Sequence, residues 1–315
     1  AREGLSIRAL DTASPTRSLL ETNEVGIDEF MRWAGKAGVE VMYALNLGTR
    51  GVQEALDVQE YLNHPDRTHL SELRRANGAP EPYGITMFCL GNEMDGPWQT
   101  GHKTAREYGR LAQETARALR SAEPGVELVA CGSSSSAMPT FAAWEAEVLE
   151  LAYDQVDYIS AHAYYEPIDG DLGSFLASAV DMDHFVHSVV ATADSVGARL
   201  KSKKRLKISF DEWNVWYLRE FQAGLESAAP TEWPVAPRVI EDCYNVADAV
   251  VVGGLLISLL RHSDRVTAAC QAQLVNVIAP IRTEAGGPAW RQTIFHPFAI
   301  TSRLARGDVL RVEMR

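Results

Sequence analysis

The spacing of apolar positions changes repeatedly along this chain. Ile27, Phe30, Met31 and Ala34 fall at i, i+3, i+4 and i+7, the stripe of an amphipathic helix, and Gly38 follows as a stop. The segment from Val39 to Leu47 is then apolar except for Glu40 and Asn46, which predicts a strand buried on both faces. The same alternation recurs to the end. Helices are expected over about 52–62, 104–121, 141–153, 183–200 and 244–260. Strands are expected over 85–90, 126–131, 156–161, 206–210 and about 268–275. Residues 298–315 read as one closing helix with a tail.

Doubly apolar strands separated by helices indicate an α/β fold with a parallel sheet covered by helices. No Gly-x-Gly-x-x-Gly follows any strand, so a dinucleotide-binding sheet has no support. A (β/α)8 TIM-type barrel fits better, because unusual polar residues collect at the strand ends. They are Asn46, Asn92, Glu93, Ser133, His162, Tyr164, Asp211, Glu212, Gln273 and Asn276. Packing does not require such groups there, and buried they cost free energy unless paired. The C-terminal strand ends are where a barrel of this kind builds its site. Six strands are recognisable, and a closed barrel has eight. Residues 1–20 are polar, with Pro15 and scattered Arg, and offer no convincing pair of strands.

Composition narrows the function. The 315 residues are 46% apolar and 23% charged, which fits a folded chain of one large or two small domains. Lys and Arg number 30 against 42 Asp and Glu, a net charge of −12. That balance argues against nucleic acid and anionic membrane as partners and is neutral toward sugars. The most apolar stretch, 249–260, is short of the ~20 residues that span a bilayer, so it predicts a buried helix. The first twenty residues contain no signal-peptide core. Cys89, Cys131, Cys243 and Cys270 form no CxxC pair and are expected to be buried free thiols in a reducing, cytoplasmic compartment. Position 1 is Ala, which fits a segment of a longer product.

Glu93 and Glu212 are the strongest candidates for chemistry. Each follows an apolar strand and has polar or aromatic neighbours rather than a charge run. Glycosidic hydrolysis needs two facing carboxyl groups, one protonated to release the leaving oxygen and one ionised to attack the anomeric carbon. Two carboxyl groups close together in a partly dry site push their pKa values apart. No His/Asp/Glu spacing of a metal site is present, and no metal or cofactor is expected.

CLGNEMDGPWQTGHKTAREYGRLA at 89–112 and ISFDEWNVWY at 208–217 resemble glycoside hydrolase family 51, the retaining α-L-arabinofuranosidases. So do ETNEVGIDEFMRWAG at 21–35, ALNLGTRG at 44–51, CGSSSSAMPTF at 131–141, DYISAHAYYE at 157–166 and AQLVNVIAPI at 272–281. The resemblance implies a (β/α)8 barrel with Glu93 as acid/base at the end of strand four and Glu212 as nucleophile at the end of strand seven. It also implies that Asn92 contacts the sugar 2-OH, that His162 and Tyr164 sit at the sixth strand end, and that Tyr164 holds the nucleophile. Gln273 matches a sugar-hydroxyl contact at the eighth strand. Trp98, Trp213, Trp216 and Tyr217 are candidate sugar-facing residues or loop packing.

By that numbering the recognisable strands are the third to the eighth. Residues 21–300 are then a partial catalytic barrel, flanked by unmatched segments 1–20 and 301–315. The implied reaction is double-displacement release of terminal non-reducing α-L-arabinofuranosyl residues. The expected partner is an arabinofuranosyl oligosaccharide, with room for a homo-oligomer. Two alternatives stay open. One is an inactive or merely sugar-binding remnant, since an open sheet exposes its edges. The other is a β-glycanase of the same barrel clan, against which NLGTRG, EMDGPWQ and DEWNVWY weigh.

Overall fold

The computed structural model describes residues 6–9, 18–227 and 233–310. It opens with an antiparallel pair, β1 (Ser6–Ala9) and β2 (Ser18–Glu21). Next come α1 (Ile27–Ala37), β3 (Met42–Ala44), α2 (Val52–Asn63), α3 (His69–Ala76) and β4 (Met87–Cys89). The middle of the chain holds α4 (Ala105–Ala122), β5 (Glu127–Ala130), α5 (Ala143–Ala152), β6 (Tyr158–Tyr165), α6 (Leu172–Leu176) and α7 (Ser178–Arg199). Then follow β7 (Lys207–Val215), α8 (Leu218–Ser227), α9 (Val246–Arg261) and β8 (Val266–Gln271). A hairpin of β9 (Ile281–Thr283) and β10 (Ala289–Arg291) leads to α10 (Phe295–Leu304).

β3 to β8 form one parallel sheet in strict sequence order. Adding every strand on the same side is the winding of a barrel, since a doubly wound sheet reverses its order. The sheet is therefore an open arc of a TIM-type barrel, and its six strands fall where the sequence places them, except that the first is only Met42–Ala44 and, at the open edge, is half-buried to exposed rather than buried on both faces. The buried layer lies between strands and helices. Phe88, Leu128, Ile159, Ile208 and Phe210 pack against Leu119, Val148, Phe185, Val189, Val252 and Leu255. The apolar stretch at 249–260 lies within α9, with Val251, Val252, Leu255, Leu256 and Leu259 buried. Among the described residues no helix is long and apolar enough to cross a membrane.

Three expectations change. Within residues 1–20, β1 and most of β2 do form a strand pair, outside the main sheet; residues 1–5 and 10–17 lie outside the described residues. Its anchor is long-range: the Leu20 N–H donates to the Pro234 carbonyl at 2.9 Å, and the Ala236 N–H donates to the Leu20 carbonyl at 2.9 Å. Four-residue strands of that kind leave no periodic signal. Second, α3, α6, α8 and the β9–β10 hairpin were not expected; all are short, with 8, 5 and 10 residues in the helices and 3 in each strand. Third, only Cys89 and Cys131 are buried; Cys243 and Cys270 are exposed. Cys243 precedes α9 in a loop, and Cys270 lies on β8, the edge of the sheet.

Tyr108 shows how the helix layer fixes the strand ends. It is fully buried, stacks on Trp144, donates to the Leu90 carbonyl and accepts from the Cys131 N–H, both at 2.7 Å. One hydroxyl thus locks the exits of β4 and β5 together. Tyr108→Phe leaves the buried Cys131 N–H without its acceptor and the Leu90 carbonyl with only the Cys131 thiol at 3.6 Å, so it should lower unfolding free energy by about 1–3 kcal/mol. Urea denaturation followed by circular dichroism measures that loss.

Candidate active site

β4 runs into Gly91, Asn92 and Glu93. Gly91 has φ 106, a conformation that favours glycine. Glu93 itself has φ 44, in the left-handed region that residues with a side chain rarely adopt. Strain of this sort persists where surrounding contacts over-determine the backbone. Two residues on, the carboxylate of Asp95 accepts from the backbone N–H and the hydroxyl of Ser134, both at 3.0 Å. That ties the β4 loop to the β5 loop. The β5 loop is in turn pressed on β6, because a Cβ on Gly132 would lie 2.0 Å from the Ser160 carbonyl oxygen.

His162 and Tyr164 share one face of β6 through the period-two alternation of a strand. β7 breaks that alternation. Ser160 pairs with Ser209, but His162 pairs with Glu212; on the other side Phe210 pairs with Ala269, but Trp213 pairs with Gln271. Against both neighbours β7 carries one extra residue, a bulge at Asp211–Glu212. Consecutive residues on a regular strand point to opposite faces. Here both carboxylates reach His162: its Nε2 lies 3.1 Å from Asp211 Oδ1 and its Nδ1 lies 3.5 Å from Glu212 Oε2.

The third carboxylate is Glu93, whose Oε1 lies 3.0 Å from His162 Nδ1. Trp98 Nε1 donates to Glu93 Oε2 at 2.6 Å, and Gln99 Nε2 donates to the same oxygen at 3.4 Å. The Tyr164 hydroxyl donates to Glu212 Oε1, and its ring meets Trp216 edge-on at 5.0 Å between centroids. The His162 side chain is 5% exposed, Glu93 12% and Glu212 26%, so the cluster opens to solvent on the Glu212 side.

Electrostatics follow from this packing. Burial works against a charged His162, but hydrogen bonds to Asp211 and Glu93 and the charge of Glu212 outweigh it and hold the imidazole well above its ordinary value. Burial also pushes Glu93 up, yet the His162 hydrogen bond and charge, with Trp98 and Gln99, bring it below the usual carboxylate range. Glu212 is raised by burial and by the charge of Glu93, against the pull of His162. The resting site is an imidazolium among three carboxyl groups. Carboxyl oxygens of Glu93 and Glu212 come within 4.8 Å of each other, with His162 Nδ1 inside the same spacing. A cation can also use three such atoms, but here both ring nitrogens face carboxylate oxygens at hydrogen-bond distance. Two carboxyl groups this close suit attack and proton delivery on one small substrate; retaining glycosidases hold theirs ~5–5.5 Å apart.

The structure therefore brings together Glu93, Glu212, His162, Tyr164 and Trp98. Asn92 and Gln273 are exposed just past the ends of β4 and β8; Asn92 lines a cavity with His162 and Asp211, and neither has a described side-chain bond to the cluster. Trp213 is fully buried and belongs to the core, not to a sugar-facing wall. Tyr217 donates to Asp248 at 2.8 Å, which is loop packing. Sequence reasoning gave no role to Asp211 or Asn214. Asn214 is fully buried; its amide N–H groups donate to the carbonyls of Ala272 and Ile278, and its oxygen accepts from Gln271 at 3.0 Å. It holds the loop that carries Gln273. A buried amide within a run of apolar strand residues was the available signal.

An arc of a (β/α) barrel with two facing carboxyl groups at its strand ends is the architecture of a barrel glycoside hydrolase. Comparison with known families is more specific. Residues 10–185 match the α-L-arabinofuranosidase 1 domain, and residues 211–315 match the α-L-arabinofuranosidase C-terminal domain. The chain belongs to the α-L-arabinofuranosidase family. It is 64% identical over 296 residues to an intracellular exo-α-(1→5)-L-arabinofuranosidase of Streptomyces lividans, covering 93% of this chain and 44% of that protein. An exo-α-(1→6)-L-arabinofuranosidase of Bifidobacterium longum is 59% identical, covering 92% of this chain and 56% of its own length. Among solved structures, a family 51 α-L-arabinofuranosidase of Bifidobacterium longum superposes with a TM-score of 0.86 at 48% identity, over 92% of this chain and 58% of that one. The chain spans about half the length of the curated relatives it matches.

The charge arrangement predicts a pH-dependent stability. His162 is raised in the fold, so its contribution is complete below the unfolded value of ~6.5 and is lost as pH rises through the folded value. The stability difference between the wild type and His162→Gln should be largest at mildly acidic pH and shrink in alkali. Guanidinium denaturation of both proteins across that range measures it.

Proposed function

We propose that this chain carries the catalytic apparatus of a retaining exo-α-L-arabinofuranosidase, with residues 21–300 as the catalytic unit. The observation that supports this most is the pair of half-buried carboxyl groups, Glu93 just after β4 and Glu212 on β7, with oxygens within 4.8 Å of each other across the strand ends. That spacing leaves no room for a water between sugar and nucleophile, which an inverting pair needs at ~6.5–9.5 Å. The two relatives above are named for exo action on α-L-arabinofuranosides, which favours a terminal arabinofuranosyl residue as substrate here. One of them is named intracellular, and we assign this chain to the cytoplasm on that basis.

Glu212 is the nucleophile. The Tyr164 hydroxyl fixes one of its oxygens and leaves the other for the anomeric carbon. Its carboxylate displaces the leaving group and forms a glycosyl ester. Glu93 is the acid/base, steered by Trp98 and Gln99. In the free site Glu93 is lowered, which suits the second step, where it takes a proton from water. For the first step the proton lies one hydrogen bond away, on His162 Nδ1 at 3.0 Å. Asn92 and Gln273, exposed at their strand ends, contact sugar hydroxyls.

Azide separates the two roles on an aryl α-L-arabinofuranoside with a good leaving group. Glu93→Ala should lose about 10²–10⁴-fold in turnover of substrates that need acid assistance. Azide should rescue it and give the α-configured glycosyl azide by attack on the glycosyl-enzyme. Glu212→Ala should be inactive alone and give the β-configured azide. The opposite pattern would exchange the roles. A cooperative unfolding transition with no turnover in the wild type would reduce the chain to a carrier of the carboxyl pair.

A further inference from the structure

Resting on that reading of Glu93 as acid/base, we propose that Asp211 is a positioning residue for the reaction: it fixes His162 as the Nε2–H tautomer, so that Nδ1 is the nitrogen exchanging a proton with Glu93. The geometry points to it in three ways. Asp211 Oδ1 takes His162 Nε2 at 3.1 Å, while Nδ1 faces Glu93 at 3.0 Å, so the ring spans the two carboxylates. The other Asp211 oxygen is held in place by the Ser209 hydroxyl at 3.1 Å and the Cys89 thiol at 3.5 Å. Burial and the Asp211 charge keep that thiol protonated and therefore a donor. The β7 bulge is what brings Asp211 to the ring on the same strand that supplies Glu212. Asp211 has 9% of its side chain exposed, and its bond to the catalytic cluster is the one to His162. Through that bond it acts on Glu93.

The groups facing His162 come from two directions: Glu93 from the β4 loop, and Asp211 and Glu212 from β7. Among the described residues His162 is the cation that Asp211 contacts. In the first step the proton on Nδ1 passes to Glu93, and Glu93 delivers it to the leaving oxygen, which leaves Glu93 ionised for the second step. His162 is then neutral, with its remaining proton on Nε2 and bonded to Asp211. In the second step Glu93 takes a proton from the attacking water, and one proton returns to Nδ1. Without Asp211 the neutral ring can keep its proton on Nδ1, which leaves Glu93 facing a donor that cannot give.

The test is nitrogen-15 NMR of the histidine side chains in the full chain, with the His162 signals assigned by their loss in His162→Gln. In the wild type Nε2 should stay protonated across the whole range while Nδ1 titrates. In Asp211→Asn the His162 midpoint should fall by about 1–3 units, the effect of removing one adjacent opposite charge. Turnover by Asp211→Asn should fall about 10²-fold or more with KM within about twofold, as expected for a proton-transfer partner held in the wrong tautomer. In a His162→Gln background the same substitution should cost nothing further. An unprotonated Nε2 in the wild type, an unchanged His162 titration, or a turnover loss that adds fully to that of His162→Gln would each overturn the proposal. The wild-type spectrum decides even if Asp211→Asn fails to fold. Absence of turnover in the wild type would count against the proposed function, and the tautomer would still be read from the spectrum.

Discussion

His162 sits 5% exposed between Glu93 and Asp211 and within 3.5 Å of Glu212. Three carboxyl groups crowded into one half-dry site would repel, and each would pay for its lost hydration. One imidazolium relieves both. Removing a partner from such a buried ionic group typically destabilises by about 3–5 kcal/mol, so the cluster holds its geometry only as a whole. The loop after β4, the face of β6 and the bulge of β7 all converge on this ring, and each makes sense as a way of reaching it.

Around that centre the helix layer and the loops act as a frame. Tyr108 closes the exits of β4 and β5 with one hydroxyl. Asp95 ties the Glu93 loop to Ser134, and Asn214 ties the end of β7 to the loop after β8. These are buried polar side chains with backbone partners, which rigidify a site because any alternative leaves them unsatisfied. The strained φ of Glu93 is affordable inside such a frame.

Much of this is legible in the amino-acid sequence. The six strands of the main sheet and its winding followed from the alternation of doubly apolar runs with helical stripes. Glu93, Glu212, His162 and Tyr164 stood out because polar residues at the ends of apolar strands lack a packing reason. The pairing of β1 with β2 did not, because it depends on contacts with residues 234–236, far along the chain. Trp213 and Trp98 carry the same side chain, and only packing separates the buried core residue from the donor to Glu93.

The sequence by itself determined the element types, their order, the parallel barrel winding and the pair of carboxyl groups, since periodicity and residue chemistry are local properties. Tertiary structure alone decided which groups meet. Asp211 and Glu212 are neighbours in sequence and should face opposite sides of a strand. A single extra residue in β7, measured against both neighbouring strands, puts both beside His162. Register is a relation between strands, and no single strand's sequence contains it.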